Sequence, residues 1–384
     1  MLFHNWLKTL SGDFARRSSG LNRRRTRSAS GRVALTQLDF VGTPTVETME
    51  VKNLLSVNPV LVADILVGAG ASNPSDFVNV NGTLFFAANN GTNGTELWRS
   101  DGTAAGTTLV RDIVSGIGSS RPSSLANVNG TLFFQANDGV NGYELWQSDG
   151  TAAGTTLVKD IRSGIGTSFP GFLTNVNGTL FFTANDGTNG KELWRSDGTP
   201  SGTTLVKDIR SGGSDGNPLL LANVNGTLFF RANDGANGEE LWRSDGTPAG
   251  TTLVKDILSG SSGSIPRSLT NVNGTLFFRA NDGITGYELW QSDGTSAGTT
   301  LVDDILSGSG SSFPSYLTNV NGTLFFSANE GTNGFELWQS DGSAAGTTLV
   351  KDIVGGNGNS YLSSLTNVNG TLFFRANDGV NGYE

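Results

Sequence analysis

The sequence predicts an all-β protein: a β-propeller of four-stranded antiparallel blades, about seven in number, with the last one incomplete. Three observations carry this reading. The motif Glu-Leu-Trp places its tryptophan at Trp98, Trp146, Trp194, Trp242, Trp290 and Trp338, so the chain repeats itself every 48 residues without insertion or deletion. A fixed period of this size marks an array of like units, none of which buries its apolar face alone. Glycine supplies 54 of 384 residues and charged residues only 15%, which suits a turn-dense chain better than a helical one. Finally, every copy sets Asn-Gly between two β-prone runs, as at Asn129-Gly130, and this pair is the strongest short hairpin signal because a type I′ turn needs positive φ twice.

The copy from Ser124 to Ile161 shows each element in turn. "SLANV" is the inner strand, and the Asn-Gly turn leads into "TLFFQA", the second. "NDGVNG" separates this from "YELWQS", and "SDGTAAG" separates that from the outer strand "TTLVKDI". The longest gap, "RSGIGTSFPG", is the crossover to the next copy. In Thr131-Leu132-Phe133-Phe134 large apolar residues are adjacent rather than alternating, so both faces of the sheet are buried there. A blade packed between two neighbours needs such a strand. Pro74, Pro122, Pro170, Pro218, Pro266 and Pro314 recur in the crossover, where no ladder hydrogen bond is lost, and Leu362 takes the seventh place.

Two domains are expected: a basic, largely disordered leader over residues 1–60 and a propeller over residues 61–384. Residues 1–32 hold eight Arg or Lys and one Asp, so the remainder carries −16 of the total charge of −9. An acidic body is a poor match for phosphate backbones, and nucleic-acid binding by the repeats is set aside. No segment is long and apolar enough to span a membrane. "NGTLFF" occurs seven times but the third strand only six, and "LVADI" at Leu61 to Ile65 is a spare outer strand available to close the ring. The chain therefore reads as a fragment of a longer array.

Chemistry is narrowly bounded. There is no cysteine, and the one histidine, His4, lies in the basic leader. Thiolate and imidazole catalysis are thereby excluded from the repeats.

The run "ELWRSDGT" or "ELWQSDGT" resembles the bacterial family named for it, the ELWxxDGT repeat proteins, over residues 61–384 in six full copies, with Ser343 departing from the final Thr. The spacing of strands is also similar to kelch blades. "VETMEVKNLLSVNP", Val46 to Pro59, resembles the leader of large exported bacterial repeat proteins. These resemblances imply a secreted or cell-surface propeller-like protein and bring no catalytic residues with them.

Two candidate sites emerge. In the loop between second and third strands, Asp138, Asn141 and Glu144, Asp186, Asn189 and Glu192, and Asp234, Asn237 and Glu240 space oxygen ligands by three, a pattern open to calcium. The competing account is turn chemistry, since Asp and Asn cap their own backbone, and Asn90, Glu330 and Thr285 substitute within other copies. The second candidate is a rim where copies differ. Arg121, Tyr143, Phe169, Arg267, Tyr287, Phe313 and Phe335 sit in loops that emerge at one end of the blades, a binding face of mixed aromatic and charged character. The six tryptophans are assigned to interblade packing, and the Asp of "SDGT" to an Asx-turn.

The function expected from this is a non-enzymatic, exported interaction or adhesion scaffold, monomeric, binding protein or polysaccharide through its rim. A glycan-active hydrolase or lyase with paired carboxylates at the channel mouth is the alternative, although copied blades supply the same carboxylate repeatedly where catalysis needs unlike ones. A structural spacer is the third.

Overall fold

Each hairpin is built by two consecutive residues of positive φ, as the Asn-Gly pairs require: Asn129 at 51° and Gly130 at 86° in one copy, with the same signs in all seven. The structure is a computed structural model that describes residues 60–384. The expected leader over residues 1–60 falls outside the described residues, Val60 apart.

Twenty-six strands form six four-stranded antiparallel sheets, at residues 75–111, 123–159, 171–207, 219–255, 267–303 and 315–351, and a two-stranded one at 363–375. In the second sheet the strands are Ser123–Val128, Thr131–Asn137, Tyr143–Ser148 and Thr156–Lys159, paired in chain order. The first strand of each sheet lies beside the first strand of the next, from the first sheet to the seventh. Among the described residues there is no helix, hence none long and apolar enough to cross a membrane.

The seventh sheet holds two strands and a single further bridge, Asn377 to Tyr383. "LVADI", expected as a spare outer strand, forms none. Only Ile65 is engaged, packing on Phe86, Ala88 and Trp98 of the first sheet.

The core lies between sheets rather than within one. Val128, Phe133, Leu145, Val158 and Ile161 of the second sheet meet Leu180, Phe182, Ala184 and Trp194 of the third, and equivalent sets meet at the four other interfaces among the first six sheets. Phe182 and Leu180 are fully buried. Burying one such side chain contributes about 1.5–3 kcal/mol, so the adjacent apolar pairs of the second strand are what bind neighbours together. Trp146, Trp194, Trp242, Trp290 and Trp338 lie in these clusters, whereas Trp98 packs with Phe86 and Ala88 of its own sheet.

Polar contacts then set the spacing. The first Asn of "NVNG" accepts from the turn Gly through its own Oδ1, as Asn127 does from Gly130 N–H at 2.9 Å, and donates its amide to the preceding sheet, Asn127 Nδ2 to Asn79 O at 3.2 Å. Asn175, Asn223, Asn271, Asn319 and Asn367 repeat that second contact, forming an asparagine ladder across all seven first strands. On the outer strand Lys159, Lys207 and Lys255 each reach the Thr carbonyl of the following sheet at 2.7–2.8 Å, over the tryptophan of that sheet.

Candidate functional site

The two ends of the array differ in kind. At the hairpin end, "SDGTxxGT" closes on itself: Asp149 Oδ1 accepts from Thr151 N–H and Oγ1, Thr151 Oγ1 accepts from Gly154 N–H, and Ser148 and Thr155 share a hydroxyl hydrogen bond. These bonds hold the Asp149 carboxyl below its ordinary value. A Cβ at Gly154 would lie 2.1 Å from Asp149 Oδ1, which explains the glycine. Ser343 reproduces the clasp with Asp341, so the one departure from the motif changes nothing in it. The interblade crevices at this end, such as that between Asn177, Arg195, Asp245 and Gly246, are walled by copied turn residues.

At the crossover end, the motif Glu is the organising group. Glu96, Glu144, Glu192, Glu240, Glu288 and Glu336 are fully buried. Glu144 accepts from Ile161 and Ser168 N–H at 3.0 Å and from Ser168 Oγ at 2.5 Å, stapling the crossover to the third strand. Burial pushes Glu144, Glu192 and Glu288 up to about 7, against hydrogen bonds that pull the other way. In the third sheet Gly216 replaces the Ser, and its N–H comes to 2.6 Å from Glu192.

This arrangement separates the residues of each candidate calcium set. Asp138 Oδ1 accepts from Val140 and Asn141 N–H and its Oδ2 from Asn141 Nδ2, all at 2.7–2.9 Å, with Asp186–Asn189 and Asp234–Asn237 alike. Burial raises the Asp138 carboxyl, but these donors outweigh it and leave it below its ordinary value. Asp and Asn are thus brought together, whereas Glu144, Glu192 and Glu240 turn to the crossover. Among the described residues no three His, Asp or Glu side chains gather as a metal site requires, and the donor sets do not fit calcium as spaced in the sequence.

The variable residues are gathered unevenly. Tyr143 stacks on Phe169 with centroids 5.8 Å apart, and Tyr287 on Phe313 at 5.5 Å. Arg121, Phe169 and Phe313 precede the crossover prolines at φ of 48–49°, a left-handed conformation that directs them outward, and Phe169 and Phe313 are exposed. Phe335 is half-buried, its carbonyl accepting from Ser360.

Around Arg267 the arrangement has chemical content that the sequence reading missed. Arg267 opposes Arg279 across the first and second strands of the fifth sheet, and Arg231 of the fourth sheet lies close enough for its charge to be felt. Arg279 lies 5.7 Å from the Tyr287 ring and 5.8 Å from Phe313. Arg231 meets Glu239 at 3.4 Å. Burial above all, with the Arg267 charge adding to it, lowers both Arg231 and Arg279 from their ordinary value. The Nε atoms of Arg231 and Arg279 are buried without an acceptor. The signal was present in the position after "TLFF", which reads Ala87, Gln135, Thr183, Arg231, Arg279, Ser327 and Arg375.

No family model matches the chain, and no curated protein matches it. Among solved structures it is similar to a puromycin hydrolase, at 15% identity and a TM-score of 0.44, covering 83% of this chain and 52% of that one. A structure from a study of two prolyl endopeptidases gives 12% and 0.34, with 80% and 54% covered. A puromycin-hydrolyzing peptidase of Mycobacterium tuberculosis gives 10% and 0.42, with 78% and 48% covered. The chain spans about half the length of these proteins. These proteins are named for hydrolysing puromycin or peptides, not for adhesion or glycan chemistry, and against them the expectation of a non-enzymatic, exported adhesion scaffold is corrected, together with its glycan-hydrolase and spacer alternatives. At such identity no activity passes from them to this chain.

Proposed function

We propose that the described sheets are blades of a β-propeller, about seven in the ring, and that its crossover end receives an acidic small-molecule ligand between the fourth and fifth blades. The order of first strands, each beside the next, supports the propeller, as does the resemblance of the repeats to the ELWxxDGT family. The ligand class rests on one observation: Arg267 stands opposite Arg279 across two strands and its charge is felt at Arg231 of the neighbouring sheet, in a chain of net charge −9, and Arg231 and Arg279 each keep a buried Nε without an acceptor. A buried donor left unpaired costs about 1–3 kcal/mol, and an acidic group supplies the acceptor and the opposing charge together.

The test is thermal unfolding of the full chain with millimolar benzoate, phosphate or the uncharged benzamide. A ligand that binds only the folded state raises the midpoint, and the acids raise it while benzamide does not. Equal midpoints in all three would remove the reading.

A further inference from the structure

Resting on that reading, we propose that the ligand at Arg231, Arg267 and Arg279 is a phosphate monoester carried on a planar ring. Charge decides the first half. Arg231 meets Glu239 in the single ion pair found among the described residues, while Arg279 reaches only the Pro314 carbonyl at 3.5 Å and Arg267 pairs with no carboxylate, so two positive charges stand uncompensated. Arg267 and Arg279 are direct cross-strand partners, and like charges so placed destabilise a sheet unless something lies between them. A carboxylate brings one negative charge. A phosphate monoester brings about 1.5–2 at neutral pH, with three acceptor oxygens to share among the guanidiniums.

The aromatic pair decides the second half. Tyr287 and Phe313 are stacked beside Arg279, and Phe313 is 43% exposed, so a ring face is open to solvent next to the guanidinium. A flat ligand body covers that face while its phosphate reaches the arginines. The second sheet carries an internal control, since Tyr143 and Phe169 stack in the same way but the cation position there is Gln135. An aromatic pair without guanidiniums offers nothing to a phosphate.

Isothermal titration of the full chain with phenyl phosphate, benzoate and inorganic phosphate tests this. Phenyl phosphate should bind at one site per chain, about tenfold tighter than either of the others, and Arg267→Ala should weaken it by about tenfold. Arg267 is exposed, so this variant keeps the fold, and Arg279→Gln gives a second reading of the same site. Benzoate binding as tightly as phenyl phosphate would overturn the monoester while leaving the acidic-ligand reading intact. Inorganic phosphate equalling phenyl phosphate would overturn the ring. Affinity unchanged in both variants would overturn the site, and no binding by any of the three would overturn this proposal and the reading beneath it together.

Discussion

The hairpin end and the crossover end are made by the same repeat, yet one is copied almost without change and the other varies from sheet to sheet. At the hairpin end, side chains themselves hold the structure: the half-buried Asn127 ties two sheets together and the exposed Asp149 ties its own turn. A substitution there breaks an interaction. At the crossover end the holding is done from inside, by Glu144 and its equivalents bonding backbone N–H groups. Because the staple reads backbone, the residues outside it are free to differ: Arg267 stands where the chain has Ser123 three repeats earlier, whereas Phe313 and Tyr287 match Phe169 and Tyr143. Constancy marks assembly, and variation is confined to the end whose outer side chains assembly does not fix.

Substitutions should widen or blur this contrast in a definite order. Phe230→Ala acts on the shared core, where the ring is fully buried, and should cost about 3–5 kcal/mol in denaturant unfolding, as should the same change at Phe134, Phe182, Phe278 or Phe326. A pH series addresses the staples. Glu144, Glu192 and Glu288 titrate near 7 when folded against 4.5 ordinarily, so between these values the folded protein holds protons that the unfolded chain has released. Their contribution is fully present below 4.5 and lost as pH rises to about 7, and the unfolding midpoint should fall across that window. A flat or rising midpoint there would mean that the staples are charged in the folded state.

Smaller effects belong to single links. Asn127→Ala removes a turn bond and a bond between sheets and should cost about 1–2 kcal/mol, measured by urea unfolding. Ile265 is a β-branched residue at φ 51° where the preceding repeat has Asn217 at 49°, so Ile265→Asn should gain up to about 1 kcal/mol by relieving the left-handed strain. Arg267→Ala should leave stability within about 0.5 kcal/mol of the parent, separating its proposed role in binding from any role in folding.

What the sequence determined by itself is everything that depends on neighbours along the chain. Asn-Gly at 129–130 requires a hairpin, Asp149 followed by Gly and Thr requires a capped turn, and Leu-Phe-Phe with no polar partner between requires a strand covered on both faces. What only the tertiary structure decided joins residues that are far apart in the chain. Glu144 looked like the last member of a loop ligand set with Asp138 and Asn141, but strand pairing places it opposite Ala136, and its carboxylate bonds Ser168, 24 residues on. The asparagine ladder links positions 48 apart, and the guanidinium cluster draws on two sheets. A local pattern fixes backbone conformation because its hydrogen bonds close within a few residues. Burial and convergence of charge depend on which strands become neighbours, and that is settled only when the sheets pack.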